Sequence, residues 1–107
     1  NSVAQAAALA SLEDEQWIED CRKANYRERS KLEKQLQSLG IEYIESSANF
    51  VTARVGDGVD AFERMQKEGV IVRPLAPYGM KEWIRVSVGT QEENERAIDS
   101  LSSYLNR

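Results

Sequence analysis

The spacing of apolar residues changes character along this chain. Over positions 1–39 neither proline nor glycine occurs, and Ala4 and Ala6 to Ala8 have the highest helix propensity. Ser11 and Asp14 are both suited to N-capping, so the pattern predicts a break near Leu12–Glu15 and a longer second helix. Trp17, Cys21, Ala24, Leu32, Leu36 and Leu39 follow helical steps and are expected on one apolar face. Arg22, Lys23, Arg27, Glu28, Lys31 and Lys34 fill the solvated remainder, and Gly40 offers the left-handed stop.

Beyond Gly40 the period shortens. Ile41–Ile44 reads as a strand, and 49–55 alternates with Val51, Ala53 and Val55 on one side and Phe50, Thr52 and Arg54 on the other. Asp57, inside a Gly-Asp-Gly turn, caps a helix carrying Val59, Phe62 and Met65 that stops at Gly69. Val70–Arg73 is expected to be a third strand ended by Pro74, with a loop to Gly79 that contains Tyr78. A fourth strand covers Trp83–Val88. Thr90 and Glu93 then form a capping box before a helix with Ala97, Ile98, Leu101, Tyr104 and Leu105 on one face. The order α-α-β-β-α-β-β-α predicts a two-layer α/β sandwich of the α+β kind, a short mixed or antiparallel sheet with helices on one face.

Alternation also divides the sheet residues by face. Ile84, Val86 and Val88 turn toward the helices, so Trp83, Arg85 and Ser87 are expected on the opposite face, joined by Ile71, Arg73, Phe50, Thr52 and Arg54. Arginine is ordinary on an open strand, where its stem covers apolar neighbours. A guanidinium on a rigid sheet also matches a carboxylate or phosphate through two parallel hydrogen bonds. Both readings stand at this level.

Composition narrows the chemistry. With 107 residues, 41% hydrophobic and 30% charged, the chain has the makeup of one ordinary globular domain. The net charge of −4, from 14 basic and 18 acidic residues, argues against nucleic acid. The absence of histidine excludes a Ser-His-Asp triad and any histidine-ligated metal. The single cysteine, Cys21, forms no internal disulfide and is expected as a small buried hydrophobe in a reducing compartment such as the cytoplasm. No apolar run approaches membrane length, and the start lacks both a signal-peptide pattern and an initiator methionine, as in a partial chain.

A set of motifs then points further. Gly69-Val70-Ile71-Val72-Arg73-Pro74, Tyr78-Gly79, Ile84-Arg85-Val86-Ser87-Val88-Gly89-Thr90 and Glu92-Glu93-Asn94 together resemble the C-terminal part of histidinol-phosphate aminotransferases. Ser47-Ala48-Asn49-Phe50 and the opening Asn1-Ser2-Val3-Ala4-Gln5-Ala6-Ala7 are similar to that family too. The resemblance implies that residues 1–107 are the small domain of a larger enzyme, with a helical lead-in over 1–39 and sheet and helices over 40–107. It implies transamination between histidinol phosphate and 2-oxoglutarate in histidine biosynthesis by a cytoplasmic homodimer that uses pyridoxal 5′-phosphate. By motif position, Arg85 would bind the substrate carboxylate or phosphate and Arg73 would assist at the phosphate. Alternation alone puts both on the uncovered face. The cofactor lysine, the phosphate-binding loop and the pyridine-nitrogen aspartate of the family have no counterpart here. The chain is therefore expected to be inactive by itself and to need the N-terminal large domain as its partner. The rival readings are a stand-alone module that binds a small anion or amino acid and a dimerisation module using the open sheet face.

Overall fold

The structure is a computed structural model that describes residues 2–46 and 48–106, with side chains from Glu13 onward. Its order is α1 (Ser2–Ser38), β1 (Tyr43–Ile44), β2 (Phe50–Arg54), α2 (Gly58–Lys67), β3 (Arg73–Pro74), a 3-10 turn (Ala76–Tyr78), β4 (Trp83–Ser87) and α3 (Gln91–Leu105). The strands form one sheet in the order β1-β2-β4-β3, and every neighbouring pair is antiparallel. Helices cover one face. Val51, Ala53, Ile84 and Val86 meet Leu32 and Leu36 of α1, Ala61 and Met65 of α2, and Ala97, Leu101 and Tyr104 of α3 in a single core. This is the expected two-layer architecture.

The caps follow the sequence closely. The Asp57 carboxylate accepts from the Asp60 N–H at 3.1 Å, and Thr90 and Glu93 form the reciprocal box at 3.2 and 3.1 Å. Two strands start later than alternation predicts, for one shared reason. At the end of α1, Gly40 (φ 74°) and Ile41 turn back, with the Ile41 N–H on the Leu36 carbonyl at 2.9 Å. At the end of α2, Gly69 (φ 84°) and Val70 do the same, with the Val70 N–H on the Met65 carbonyl at 2.9 Å. These closures use the residue after the glycine to satisfy the helix's last carbonyls, so it cannot also open a strand. β3 is accordingly Arg73–Pro74, and Pro74 ends the strand from within it, as its last residue and paired with Ile84. Proline is tolerated there because β3 is an edge.

The first helical segment departs most from expectation. α1 runs unbroken from Ser2 to Ser38, with no interruption at Leu12–Glu15; the side chain of Ser11 lies outside the described residues. A 37-residue helix is about 55 Å long, whereas the molecule measures 64 × 27 × 25 Å. Only the C-terminal part of α1 can lie against the sheet layer. Leu32 and Leu36 are buried, but Trp17 is 68% exposed, Cys21 is exposed and Leu39 is partly so. Cys21 is therefore not a core residue, because its stretch of helix has nothing to pack on. Glu28 departs in the other direction: it is half-buried rather than solvated. In α2 the inward positions are Gly58, Ala61 and Met65, and Val59 is exposed. Among the described residues no helix is long and apolar enough to cross a membrane.

Candidate functional site

β4 is the centre of the open sheet face because it is paired on both sides. Its register places Thr52, Arg85 and Arg73 in one row across three strands, with Arg54 opposite Trp83 and Phe50 opposite Ser87 in flanking rows. Their neighbours Val51, Ala53, Ile84 and Val86 point into the core, so alternation turns this whole set away from the helices. The register thus brings together the residues that the sequence pattern assigned to the uncovered face.

The three arginines on this face have different surroundings. The Arg54 guanidinium donates to Glu42 Oε2 at 3.1 Å and to Glu82 Oε2 at 3.0 Å. Glu42 first and Glu82 second hold it even more firmly protonated than an ordinary arginine. Neither glutamate stood out in the sequence, because each becomes a partner only through strand pairing. Arg85 and Arg73 have no carboxylate within ion-pair distance among the described residues. They stand directly opposite each other, an arrangement of like charges that costs roughly 0.2–1 kcal/mol in a sheet. Arg85 lies over the Phe50 ring, 4.4 Å from its centroid. That contact limits the side chain's freedom, and no described residue takes up the N–H fork in a hydrogen bond or ion pair.

Both arginines line an open cavity of about 370 Å³, together with Phe62, Ile71, Val72, Pro74 and Ser87. Two positive forks, a serine hydroxyl and an aliphatic wall can receive a planar or tetrahedral anion with an apolar portion. Among the described residues no carboxylate or lysine lines this cavity to activate the Ser87 hydroxyl. Tyr78 is exposed on the 3-10 turn and lies outside the lining. Ser47, the first residue of the Ser-Ala-Asn-Phe motif, lies outside the described residues.

Comparison with known proteins places this geometry in a family. The profile of the aminotransferase class I and II family matches residues 1–101. Histidinol-phosphate aminotransferase 2 of Ralstonia nicotianae is 43% identical over 109 residues, an alignment covering 98% of this chain and 29% of that protein. The chain therefore spans less than a third of this relative's length. Among solved structures, aspartate aminotransferase of Thermotoga maritima superposes with a TM-score of 0.75 at 27% identity, covering 100% of this chain and 29% of its own. The histidinol-phosphate aminotransferase of Clostridium acetobutylicum shares the fold, with a TM-score of 0.80 at 22% identity over 89% of this chain and 30% of its own. The chain belongs to the class I and II aminotransferase family.

Proposed function

We propose that this chain is the C-terminal small domain of a pyridoxal-phosphate-dependent aminotransferase of the histidinol-phosphate type, and that its open sheet face binds the substrate anion. Arg85 is the principal ligand of the substrate carboxylate or phosphate, and Arg73 assists at the phosphate. The observation that carries this reading is the pair of opposed arginines without carboxylate partners among the described residues, on the same face as an arginine that has two. A like-charged pair held on two adjacent strands is costly alone and favourable with an anion between its members. The 43% identity over nearly the whole chain favours histidinol phosphate and 2-oxoglutarate as the substrates.

The residues of this chain do not fit the cofactor. A Schiff-base lysine needs an amine held out of water next to the reacting carbons. Lys23, Lys31 and Lys34 on α1, Lys67 at the end of α2 and Lys81 before β4 are all exposed. In this reading the cofactor is held by a larger catalytic domain, the isolated chain does not transaminate, and the parent works as a cytoplasmic homodimer. The test is steady-state kinetics of the full-length enzyme with Arg85→Ala. Removing a charge-assisted bidentate contact costs roughly 2–4 kcal/mol, a loss of about 30- to 1000-fold in kcat/KM. Arg85→Lys recovers only part of it, because an ammonium lacks the fork. Kinetics near wild type in Arg85→Ala would overturn the assignment.

A further inference from the structure

The buried stripe of α3 begins with a polar residue. Asn94 precedes Ala97, Leu101 and Tyr104 on the inward face and is only 4% exposed. Its carboxamide is fully engaged. Oδ1 accepts from the Gly89 N–H at 2.9 Å, and Nδ2 donates to the Gly89 carbonyl at 3.2 Å and to Glu28 Oε2 at 3.2 Å. Both peptide groups of Gly89 are therefore held by one side chain, as a neighbouring strand would hold them, just past the end of β4. Glu28 reaches this site from α1, 66 residues away in sequence, with its side chain only 18% exposed.

The next residue of α1 makes a matching contact. Arg29 Nη1 donates to the Ala48 carbonyl at 3.1 Å, two residues before Phe50. The Val88 N–H donates to the Asn49 carbonyl at 2.8 Å and ties the two segments together. Consecutive residues of one helix thus clamp the chain entering β2 and the chain leaving β4. They do so at the end of the sheet where Phe50 pairs with Ser87 and supports the Arg85 guanidinium. A leucine in place of Asn94 would serve packing; a carboxamide whose three bonds go to one turn and one distant helix serves placement.

We infer that Asn94, braced by Glu28, is a positioning residue that sets the aim of Arg85 by fixing the path of the chain out of β4. This rests on the reading of Arg85 as the anion ligand. The experiment uses the full-length enzyme with Asn94→Ala, Glu28→Ala, Glu28→Gln, Arg85→Ala and the Asn94→Ala/Arg85→Ala double variant. KM and kcat for histidinol phosphate are measured alongside thermal melts. Asn94→Ala is expected to raise KM about tenfold with kcat within about twofold, the pattern of lost ground-state binding. Glu28→Ala, which removes the bond to Asn94 and the exposed pair with Lys31 but keeps both bonds of Asn94 to Gly89, raises KM about threefold, and Glu28→Gln, still offering an acceptor to Nδ2, restores most of that. In the Arg85→Ala background the Asn94 effect is expected to vanish, because coupled residues are not additive.

If the Asn94 and Arg85 effects multiply instead, the positioning role is overturned and the anion reading survives. Lower melting temperatures with unchanged KM in both Asn94→Ala and Glu28→Ala would likewise reduce the cluster to structural support. An Arg85→Ala enzyme with wild-type KM would overturn the anion reading and the positioning role together. Should Asn94→Ala not fold, the Glu28 pair decides: equal KM values in Glu28→Ala, Glu28→Gln and wild type would overturn the proposal.

Discussion

Gly58→Ala tests how tightly the site is braced from behind. Gly58 opens α2 directly against the turn into β4, and its N–H donates to the Lys81 carbonyl at 2.9 Å. A Cβ built there would lie 2.5 Å from the Trp83 carbonyl oxygen, 3.2 Å from that of Lys81 and 3.3 Å from the Trp83 carbonyl carbon. The shortest contact is about 0.9 Å inside the 3.4 Å at which ordinary contact begins. All three atoms are backbone, so none can rotate away, and the Trp83 oxygen already accepts from the Leu75 N–H at 3.1 Å. Alanine brings a helix-propensity gain of at most about 1 kcal/mol, less at a first-turn position. Against it stand about 1–3 kcal/mol of overpacking and about 0.5–1.5 kcal/mol from straining the bond to Lys81. The clash wins, with a net destabilisation of about 2 kcal/mol, roughly a thirtyfold fall in the folded-to-unfolded ratio. In urea denaturation this lowers the midpoint by about 1–2 M with an unchanged slope. Gly40→Ala is the control. Its φ is 74° and a Cβ there meets nothing within 4 Å, so only the left-handed backbone penalty of about 1 kcal/mol applies. A Gly58→Ala chain as stable as wild type, or less affected than Gly40→Ala, would refute the reasoning and show that α2 can slide off β4.

The Thr90 backbone N–H, with the Thr90 side chain second, holds the Glu93 carboxyl below the ordinary glutamate value. Its contribution to stability is therefore complete above the ordinary glutamate value and lost as pH falls through the lowered native one; melts across acidic pH should show Glu93→Gln removing that part of the slope. Leu101, 1% exposed at the centre of α3, should cost about 2–5 kcal/mol when replaced by alanine, measured by the same urea titration. Cys21 should react with a thiol reagent in the folded chain at a rate within about threefold of that in urea, and a thiol silent until unfolding would contradict its exposure.

The open face was legible in the sequence because a period of two survives wherever a strand has one dry side. Ile84, Val86, Arg85 and Trp83 all stand where alternation puts them. The caps at Asp57 and Thr90 were legible for the same local reason: donor and acceptor lie within three residues. What failed was non-local. Trp17 and Cys21 share a helical face with Leu32 and Leu36, but periodicity does not say where the neighbouring layer ends. Ile41 and Val70 looked like strand openings until the helix closures claimed their N–H groups. Asn94 left two traces in the sequence, its place in the Glu92-Glu93-Asn94 motif and a polar side chain in register with Ala97, Leu101 and Tyr104. Its partner Glu28 could not be found without the fold.

β1 and β3 are two residues each, and β3 contains a proline whose nitrogen has no hydrogen to offer. A foreign strand laid along either border would find too few free peptide groups to zip onto, which is how natural sheets avoid edge-to-edge aggregation. The open face, with Ile71 at 75% exposure, can thus stay uncovered without recruiting other chains through their backbones. Whatever meets this sheet must do so flat on, through side chains.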